Sequence, residues 1–319
     1  MRHDQWLIER TFSGAEFDPE RLLAAKCASG ATVSVCLPAL NVADTIGPIL
    51  AGIRDHWIDE LALVDELVVI DSHSSDHTAR IARDAGAAVY QDDAILPGCG
   101  RGRGKGEALW KSLAVTAGDL VCWIDSDLYD FSPAFIPGML GPLLTHDEIG
   151  FVKAIYTRQL GDTNDGGRVT EICARPLINL FYPELAGVAQ PLSGEQAGRR
   201  TLLERLPFFT GYAVELGLLI DVFDTAGLRA LAQVDLGTRA HVNQPTSALG
   251  EMAFTIQHAV LQRLARDGRI PAKLAEIDGY ARPERSNGGW AMTMTQTPMA
   301  PTERSPICTV PEYRTRHER

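Results

Sequence analysis

Two carboxylates stand close together near the middle of the chain. Asp125 and Asp127 are separated only by Ser126, and they follow the apolar stretch 119–124, which is typical of a buried strand. In an extended chain, residues i and i+2 point to the same side, so both acids can face one point at the end of a sheet. Their oxygens suit Mg²⁺ or Mn²⁺ bound to a diphosphate, because such an ion keeps several positions for phosphate and water. We favour this interpretation over a solvated strand end, because open α/β sheets bind ligands outside the carboxyl ends of their strands.

A glycine-rich loop with three cations precedes that strand. Residues 98–106 have glycine at every second position and carry Arg101, Arg103 and Lys105. Glycine lets a phosphate approach the backbone, the cations match the charge of a diphosphate, and a helix N-terminus follows. The loop is not a Walker motif, because Lys105 is followed by glycine. We favour phosphate binding over a flexible solvated turn.

A second glycine turn offers another candidate anion site. Gly166 and Gly167 lead into Arg168 and Thr170 at a predicted helix start. An ordinary helix start explains these residues almost as well. Two anion sites in one chain would suit a phosphorylated acceptor as well as a nucleotide donor.

Other candidate residues depend more strongly on the fold. The stretch 38–41 and the pair Asp71 and Ser72 end two predicted strands, so they would lie at the same edge as Asp125, although a helix cap and turn also explain Asp71. His241 becomes a metal ligand only if the chain folds back to the two acids. Glu215 is a charge among apolar neighbours, which is costly unless it is paired or functional. Three other histidines, at positions 73, 77 and 258, are interpreted as surface or packing residues.

Apolar stretches alternate with helical patterns along the first half of the chain. Strands are predicted at 32–37, 66–70, 88–90 and 119–124, and helices from about 44, at 77–85 and at 107–116. The second half carries predicted strands at 150–156 and 230–235 and predicted helices near 169–181, 214–225 and 249–266. This alternation predicts an α/β fold with a mostly parallel sheet flanked by helices. Continuous apolar runs indicate strands that are buried on both faces.

Four segments are predicted along the chain. Residues 1–30 form a leader, 31–150 a nucleotide-binding α/β half, and 151–284 an acceptor-binding half of the same domain. Residues 285–319 form an extended tail, which we expect to be mobile or to wrap the body or a partner.

Composition excludes several classes of protein. The 319 residues carry a net charge of −11, which argues against a general nucleic-acid binder. The six cysteines include no C-x-x-C pair, and no apolar run is long enough to span a bilayer. We therefore expect a cytoplasmic protein with no nucleic-acid or membrane partner.

Six motifs occur together between about Val33 and Leu249. They are Leu-Pro-Ala-Leu-Asn (37–41), Gly-Lys-Gly-Glu-Ala-Leu-Trp (104–110), Ile-Asp-Ser-Asp-Leu (124–128), Gly-Gly-Arg-Val-Thr-Glu (166–171), Gln-Pro-Leu-Ser-Gly-Glu (190–195) and Arg-Ala-His-Val-Asn (239–243). In this combination the chain resembles the retaining glycosyltransferases of the glucosyl-3-phosphoglycerate synthase family, with the related mannosyl-3-phosphoglycerate synthases.

The resemblance implies a GT-A-type, Rossmann-like fold, often as a homodimer, and assigns most of the site. By similarity, the nucleotide-sugar donor is held by Pro38, Ala39, Leu40, Asn41, Ser72, Lys105, Asp125, Ser126, Tyr212, Glu215 and Arg239. The acceptor 3-phosphoglycerate is held by Gly167, Arg168, Val169, Thr170 and Asn243. The metal, Mg²⁺ or Mn²⁺, is bound by Asp127 and His241, and Asp125, Glu215 and Lys105 are the candidate catalytic residues.

The implied reaction moves glucose from UDP-glucose to the 2-hydroxyl of 3-phospho-D-glycerate with retention. Retention needs a nucleophile, for which Glu215 is the candidate, or same-face attack. Val42 stands where the family usually has Glu, so GDP-mannose, or the use of both donors, is the alternative. The segment before Gly166 is also shorter than usual, which affects the acceptor side. The glycine-rich, basic signature of a sugar nucleotidyltransferase is absent from the stretch 38–41, which disfavours that class. The intact acidic metal ligands disfavour a non-catalytic binding protein.

Overall fold

An eight-stranded mixed sheet forms the centre of the molecule. The computed structural model describes residues 3–159, 167–240, 245–276, 279–285, 292–297 and 302–317. The strands of the sheet are β1 (Thr11–Ser13), β2 (Val33–Ala39), β3 (Glu66–Asp71), β4 (Ala88–Gln91), β5 (Leu120–Trp123), β6 (Phe151–Gln159), β7 (Gln196–Arg199) and, after the short β8 (Phe208–Phe209) outside the sheet, β9 (Leu231–Ala240). Their order is β1-β9-β6-β7-β5-β2-β3-β4. Strand β7 is antiparallel to β5 and β6, and the other neighbouring pairs are parallel.

Helices cover both faces of this sheet. They are α1 (His3–Glu9), α2 (Pro19–Ser29), α3 (Ala43–Arg54), α4 (Thr78–Asp84), α5 (Lys105–Val115), α6 (Phe135–Thr145), α7 (Arg175–Phe181), α8 (Arg200–Leu203), α9 (Val214–Ala226), α10 (Thr246–Arg266) and α11 (Pro311–His317), with π-helical turns at Asp55–Glu60 and Thr170–Ala174. Strand β2 shows the alternation directly, since Val33, Val35 and Leu37 enter one core and Cys36 enters the other. The predicted α/β fold with a mostly parallel sheet and flanking helices is confirmed.

Strand β7 is one of the elements that the sequence pattern does not predict, together with β1 and helix α6. It reads Gln-Ala-Gly-Arg, which contains no apolar run, yet its first three residues are buried and it pairs with β5 on one side and β6 on the other. Strands β2 to β6 and β9 lie within a few residues of their predicted positions.

The C-terminal residues 302–317 pack against the body. Strand β12 (Glu303–Arg304) pairs with β8, whereas β10 (Tyr280–Arg285) and β11 (Met292–Thr297) form a separate hairpin. Arg304 donates to both carboxylate oxygens of Glu107 at 2.6 and 2.8 Å and to the carbonyl oxygens of Cys99 and Gly100. The tail therefore anchors the glycine-rich loop. The four predicted segments stay a prediction.

Two further features bear on the class of protein. None of the six cysteines forms a disulfide. Among the described helices, none is long and apolar enough to cross a membrane.

Candidate functional site

A cavity of about 1030 Å³ opens at the carboxyl ends of β2, β3 and β5. The predicted site residues on its wall are Pro38, Ala39, Leu40, Ser72, Lys105, Asp125, Ser126, Asp127, Gly167, Arg168, Val169, Thr170, Tyr212, Glu215 and Arg239. Asn41 does not line it; its side-chain oxygen accepts a hydrogen bond of 2.8 Å from the Ser75 N–H. His241 and Asn243 lie outside the described residues. The cavity lies where parallel α/β sheets bind ligands, because polar groups from several strand ends meet there.

The two acids of the central motif lie in different surroundings. Asp125 is mostly buried and forms an ion pair with Lys105, whereas the Asp127 side chain is 73% exposed. The Nη2 atom of Arg239 lies 3.8 Å from a carboxylate oxygen of each acid, so both face one cation. Asp127 is thus beyond hydrogen-bond distance of that nitrogen and keeps hard oxygen ligands for a divalent ion.

Lys105 joins two carboxylates at the first turn of α5. The preceding Gly104 has a φ of +78°, which favours glycine and turns the loop into the helix. The Lys105 ammonium pairs with Asp125 and lies 3.2 Å from Glu215 Oε1. Burial alone would lower the pKa of Lys105, but the two acids outweigh it and hold that pKa above its usual range. Lys105 therefore stays cationic at the centre of the cavity.

Two polar side chains bind the Arg239 guanidinium on the side away from the cavity. Its Nη1 donates to Glu195 Oε1 and to the Tyr156 hydroxyl, both at 2.8 Å. The Tyr156 hydroxyl donates in turn to Glu195 Oε2 at 3.0 Å. Burial raises the pKa of Glu195. Burial alone would lower the pKa of Arg239, but the surrounding acidic groups outweigh burial and hold the pKa of Arg239 above its usual value. The 190–195 motif is thus part of the site wall, although its spacing alone assigns no role to Glu195.

The second glycine turn faces the same cavity. Gly167 precedes the helical segment, and Arg168, Val169 and Thr170 line the wall beyond it. The two candidate anion-binding segments, which are separated by about 60 residues in the chain, therefore converge on one space. A single cavity can hold two anionic substrates together.

His73 and Asp92 also line the cavity, next to Asp93. The pattern of the sequence marks His73 only as a surface or packing residue. Its Nε2 lies 3.3 Å from Asp92 Oδ1 and 3.1 Å from Asp93 Oδ2, and these ligand atoms could hold a metal. The Nη2 of Arg101 lies 2.9 Å from both His73 and Asp93, so a guanidinium already lies among them. No local pattern points to this cluster, because its members come from two strand ends and a loop.

Comparison with known proteins agrees with this geometry. Residues 34–212 match the family model described as glycosyl transferase family 2. The glucosyl-3-phosphoglycerate synthase of Petrotoga mobilis is 41% identical over 97% of this chain and 96% of its own length, and that of Mycolicibacterium smegmatis is 47% identical over 81% and 86%.

Solved structures show the same fold. The mannosyl-3-phosphoglycerate synthase of Rubrobacter xylanophilus superposes with a TM-score of 0.88 at 41% identity, covering 96% of this chain and 97% of that one. The glucosyl-3-phosphoglycerate synthase of Mycobacterium tuberculosis, in complex with Mn²⁺, UDP and glucosyl-3-phosphoglycerate, gives 0.79 at 44% identity over 91% and 95%. The chain therefore belongs to glycosyl transferase family 2 and, within it, to the GT-A glycosyltransferases of the glucosyl- and mannosyl-3-phosphoglycerate synthase family.

Proposed function

We propose that this enzyme transfers glucose from UDP-glucose to the 2-hydroxyl of 3-phospho-D-glycerate, giving glucosyl-3-phosphoglycerate with retention. The observation that supports this most is the single cavity in which the glycine-rich loop and the Gly167–Thr170 segment meet across Asp125 and Asp127. Glucosyl-3-phosphoglycerate synthase from Mycobacterium tuberculosis has been crystallised with Mn²⁺, UDP-glucose and phosphoglyceric acid, the set of ligands that this cavity would hold.

The donor lies on the side of β2, β3 and β5 in this proposal. Pro38, Ala39, Leu40 and Ser72 surround the nucleoside, and Ser126 is held by donating its hydroxyl to the Pro38 carbonyl oxygen at 2.6 Å. Arg239 presents Nη2 to the diphosphate, where a charge-assisted hydrogen bond is stronger than a neutral one.

A divalent ion completes the donor side. Asp127 and His241 would hold Mg²⁺ or Mn²⁺, which neutralises the charge that develops on the leaving diphosphate. The exposed carboxylate of Asp127 fits that role, because its oxygens are hard ligands at the cavity wall.

The acceptor lies opposite. Arg168 and the backbone of the Gly167–Thr170 segment bind the phosphate of 3-phosphoglycerate, with Asn243 assisting. Holding both substrates turns a two-molecule encounter into one geometry, which can account for several kcal/mol of the barrier. This arrangement places the acceptor hydroxyl beside the sugar.

Glu215 and Lys105 act on the sugar. Lys105 holds the Glu215 carboxylate in an ion pair, so the carboxylate is oriented to accept hydrogen bonds from sugar hydroxyls. We assign Glu215 to orienting the sugar and leave attack to the acceptor hydroxyl on the same face, assisted by the departing phosphate. Lys105 also neutralises Asp125, so that the buried acid does not repel the diphosphate.

The second candidate function is mannosyl transfer from GDP-mannose. Val42 lines the cavity where the family usually has an acid, and the mannosyl enzyme of Rubrobacter xylanophilus shares the fold with a TM-score of 0.88. The homodimer that the family resemblance implies stays a prediction, which light scattering after size-exclusion chromatography tests.

A panel of four donors separates these functions. UDP-glucose, GDP-glucose, UDP-mannose and GDP-mannose are each supplied with 3-phosphoglycerate and Mg²⁺ or Mn²⁺, and the release of UDP or GDP is followed. The expected result is the highest kcat/KM with UDP-glucose, and an α-anomeric product by NMR. A preference for GDP-mannose would establish the second function, and no turnover with any donor would refute both.

A further inference from the structure

The turn between residues 193 and 196 forms a buried polar wall behind the cavity. Ser193, Glu195 and Gln196 are all 0% exposed. Lys153 on β6 fixes this turn by donating to the Ser193 carbonyl oxygen at 2.9 Å and to Gln196 Oε1 at 3.2 Å. The turn is therefore held rigidly before the chain enters β7.

The two terminal nitrogens of the Arg239 guanidinium have different surroundings. Nη1 is bound by Glu195 and Tyr156 at 2.8 Å, on the protein side. Nη2 points the other way, 3.8 Å from Asp125 and from Asp127 at the cavity wall. One nitrogen thus anchors the side chain while the other faces the ligand space.

Without that anchor, Arg239 would have a competing position. Asp127 is an acid on an exposed side chain 3.8 Å from Nη2, and a long arginine side chain can rotate toward it. A direct Arg239–Asp127 pair would occupy both the cation that faces the diphosphate and the carboxylate that faces the metal. Glu195 is the closer acid, 2.8 Å from Nη1, whereas Asp127 is 3.8 Å from Nη2.

We propose that Glu195 is a positioning residue, which acts through Arg239 to keep Nη2 directed at the donor diphosphate and to keep it away from Asp127. This inference rests on the proposed function only in placing the diphosphate between Arg239 and Asp127. It does not depend on the sugar or on the acceptor.

The test compares Glu195→Gln, Arg239→Gln and the double variant with the wild-type protein. The affinity for UDP is measured by calorimetry with and without Mn²⁺, and kcat and KM are measured for the donor. Glu195→Gln keeps the shape but removes the charge that holds the guanidinium. We expect UDP affinity and kcat/KM to fall about 10- to 100-fold, the range for a hydrogen bond to a charged group. In the Arg239→Gln background, Glu195→Gln should have no further effect, because its role passes through that side chain.

A matched control exists elsewhere in the chain. Glu204, Arg200 and Tyr313 form a second acid–arginine–tyrosine trio, and none of them lines the cavity. Glu204→Gln should alter the melting temperature without changing UDP affinity. If Glu195→Gln does not fold, Tyr156→Phe removes one of the two anchors of Nη1 and should weaken UDP binding in the same direction.

The outcomes separate two failures. Wild-type UDP affinity in Glu195→Gln, or in Tyr156→Phe where that variant is used, would overturn the inference. Equal losses from Glu195→Gln in the presence and absence of Arg239 would also overturn it, because they would show a structural role. A wild-type enzyme that binds UDP but transfers no sugar to 3-phosphoglycerate would refute the proposed function and leave the positioning role measurable.

Discussion

Gly194 lies against the ion pair at the centre of the cavity. An added Cβ at this position would overlap Asp125 Oδ2 and Lys105 Nζ. The backbone of Gly194 is not in the left-handed region, so alanine brings no backbone strain there. The substitution Gly194→Ala therefore acts on the ion pair and leaves the turn conformation accessible.

The size of the effect follows from the contact distances. Carbon and oxygen atoms rarely approach below about 3.3 Å, so the carboxylate and the ammonium must each shift by roughly 1 Å. A misplacement of that size at a catalytic site can cost about 100-fold in rate. Overpacking costs about 1–3 kcal/mol of the free energy of unfolding. We expect kcat to fall about 100-fold, with a protein that still folds.

Steady-state kinetics with the preferred donor and thermal unfolding measure the two effects. Gly198→Ala is the control, because its Cβ would lie 3.1 Å from Leu203 Cδ2 and from Phe151 Cδ2 without touching the cavity. It should lower the melting temperature but keep kcat. Wild-type kcat in Gly194→Ala would refute the reasoning, because it would show that catalysis tolerates a displaced Lys105–Asp125 pair.

Three further predictions test other parts of the site. Asp127→Ala should lower metal-dependent kcat by at least about 100-fold and leave the melting temperature unchanged, because the side chain is exposed. Retained activity would show that Asp127 is not a metal ligand. Asp147→Ala is the control at another exposed acid. Arg168→Ala should raise KM for 3-phosphoglycerate far more than KM for the donor, whereas an effect on the donor alone would show that the two anion sites are reversed. Burial lowers the pKa of Lys153 from its ordinary value of 10.5 to about 8 in the folded protein. Between pH 8 and pH 10.5, the unfolded chain therefore binds a proton at Lys153 that the folded chain has released. Lys153 thereby makes wild-type stability rise with pH over that window, by at most about 3 kcal/mol. Lys153→Met should lack this rise in urea unfolding between pH 7.5 and 10; parallel curves for the two proteins would contradict it.

The elements of the first half could be predicted from the sequence because their signals are local. The mostly apolar run 66–70 predicts a buried strand regardless of what packs against it. The glycines that alternate with Arg101, Arg103 and Lys105 predict a turn that can bind an anion. The spacing of Asp125 and Asp127 also predicts two acids at one sheet edge, and Arg239 Nη2 indeed lies equally close to both.

The tertiary structure alone decided how the charges are paired. Lys105 pairs with Glu215, which lies on a helix that begins more than 100 residues later in the chain. Glu195, just before β7, pairs with Arg239 on β9, and strand β6 lies between these two strands. Strand β7 is buried through its neighbours and not through its own apolar content, so no pattern in Gln-Ala-Gly-Arg predicts it. Local sequence determines backbone preference and which side chains are available, whereas the pairing of buried charges depends on distances that exist only after the sheet is assembled.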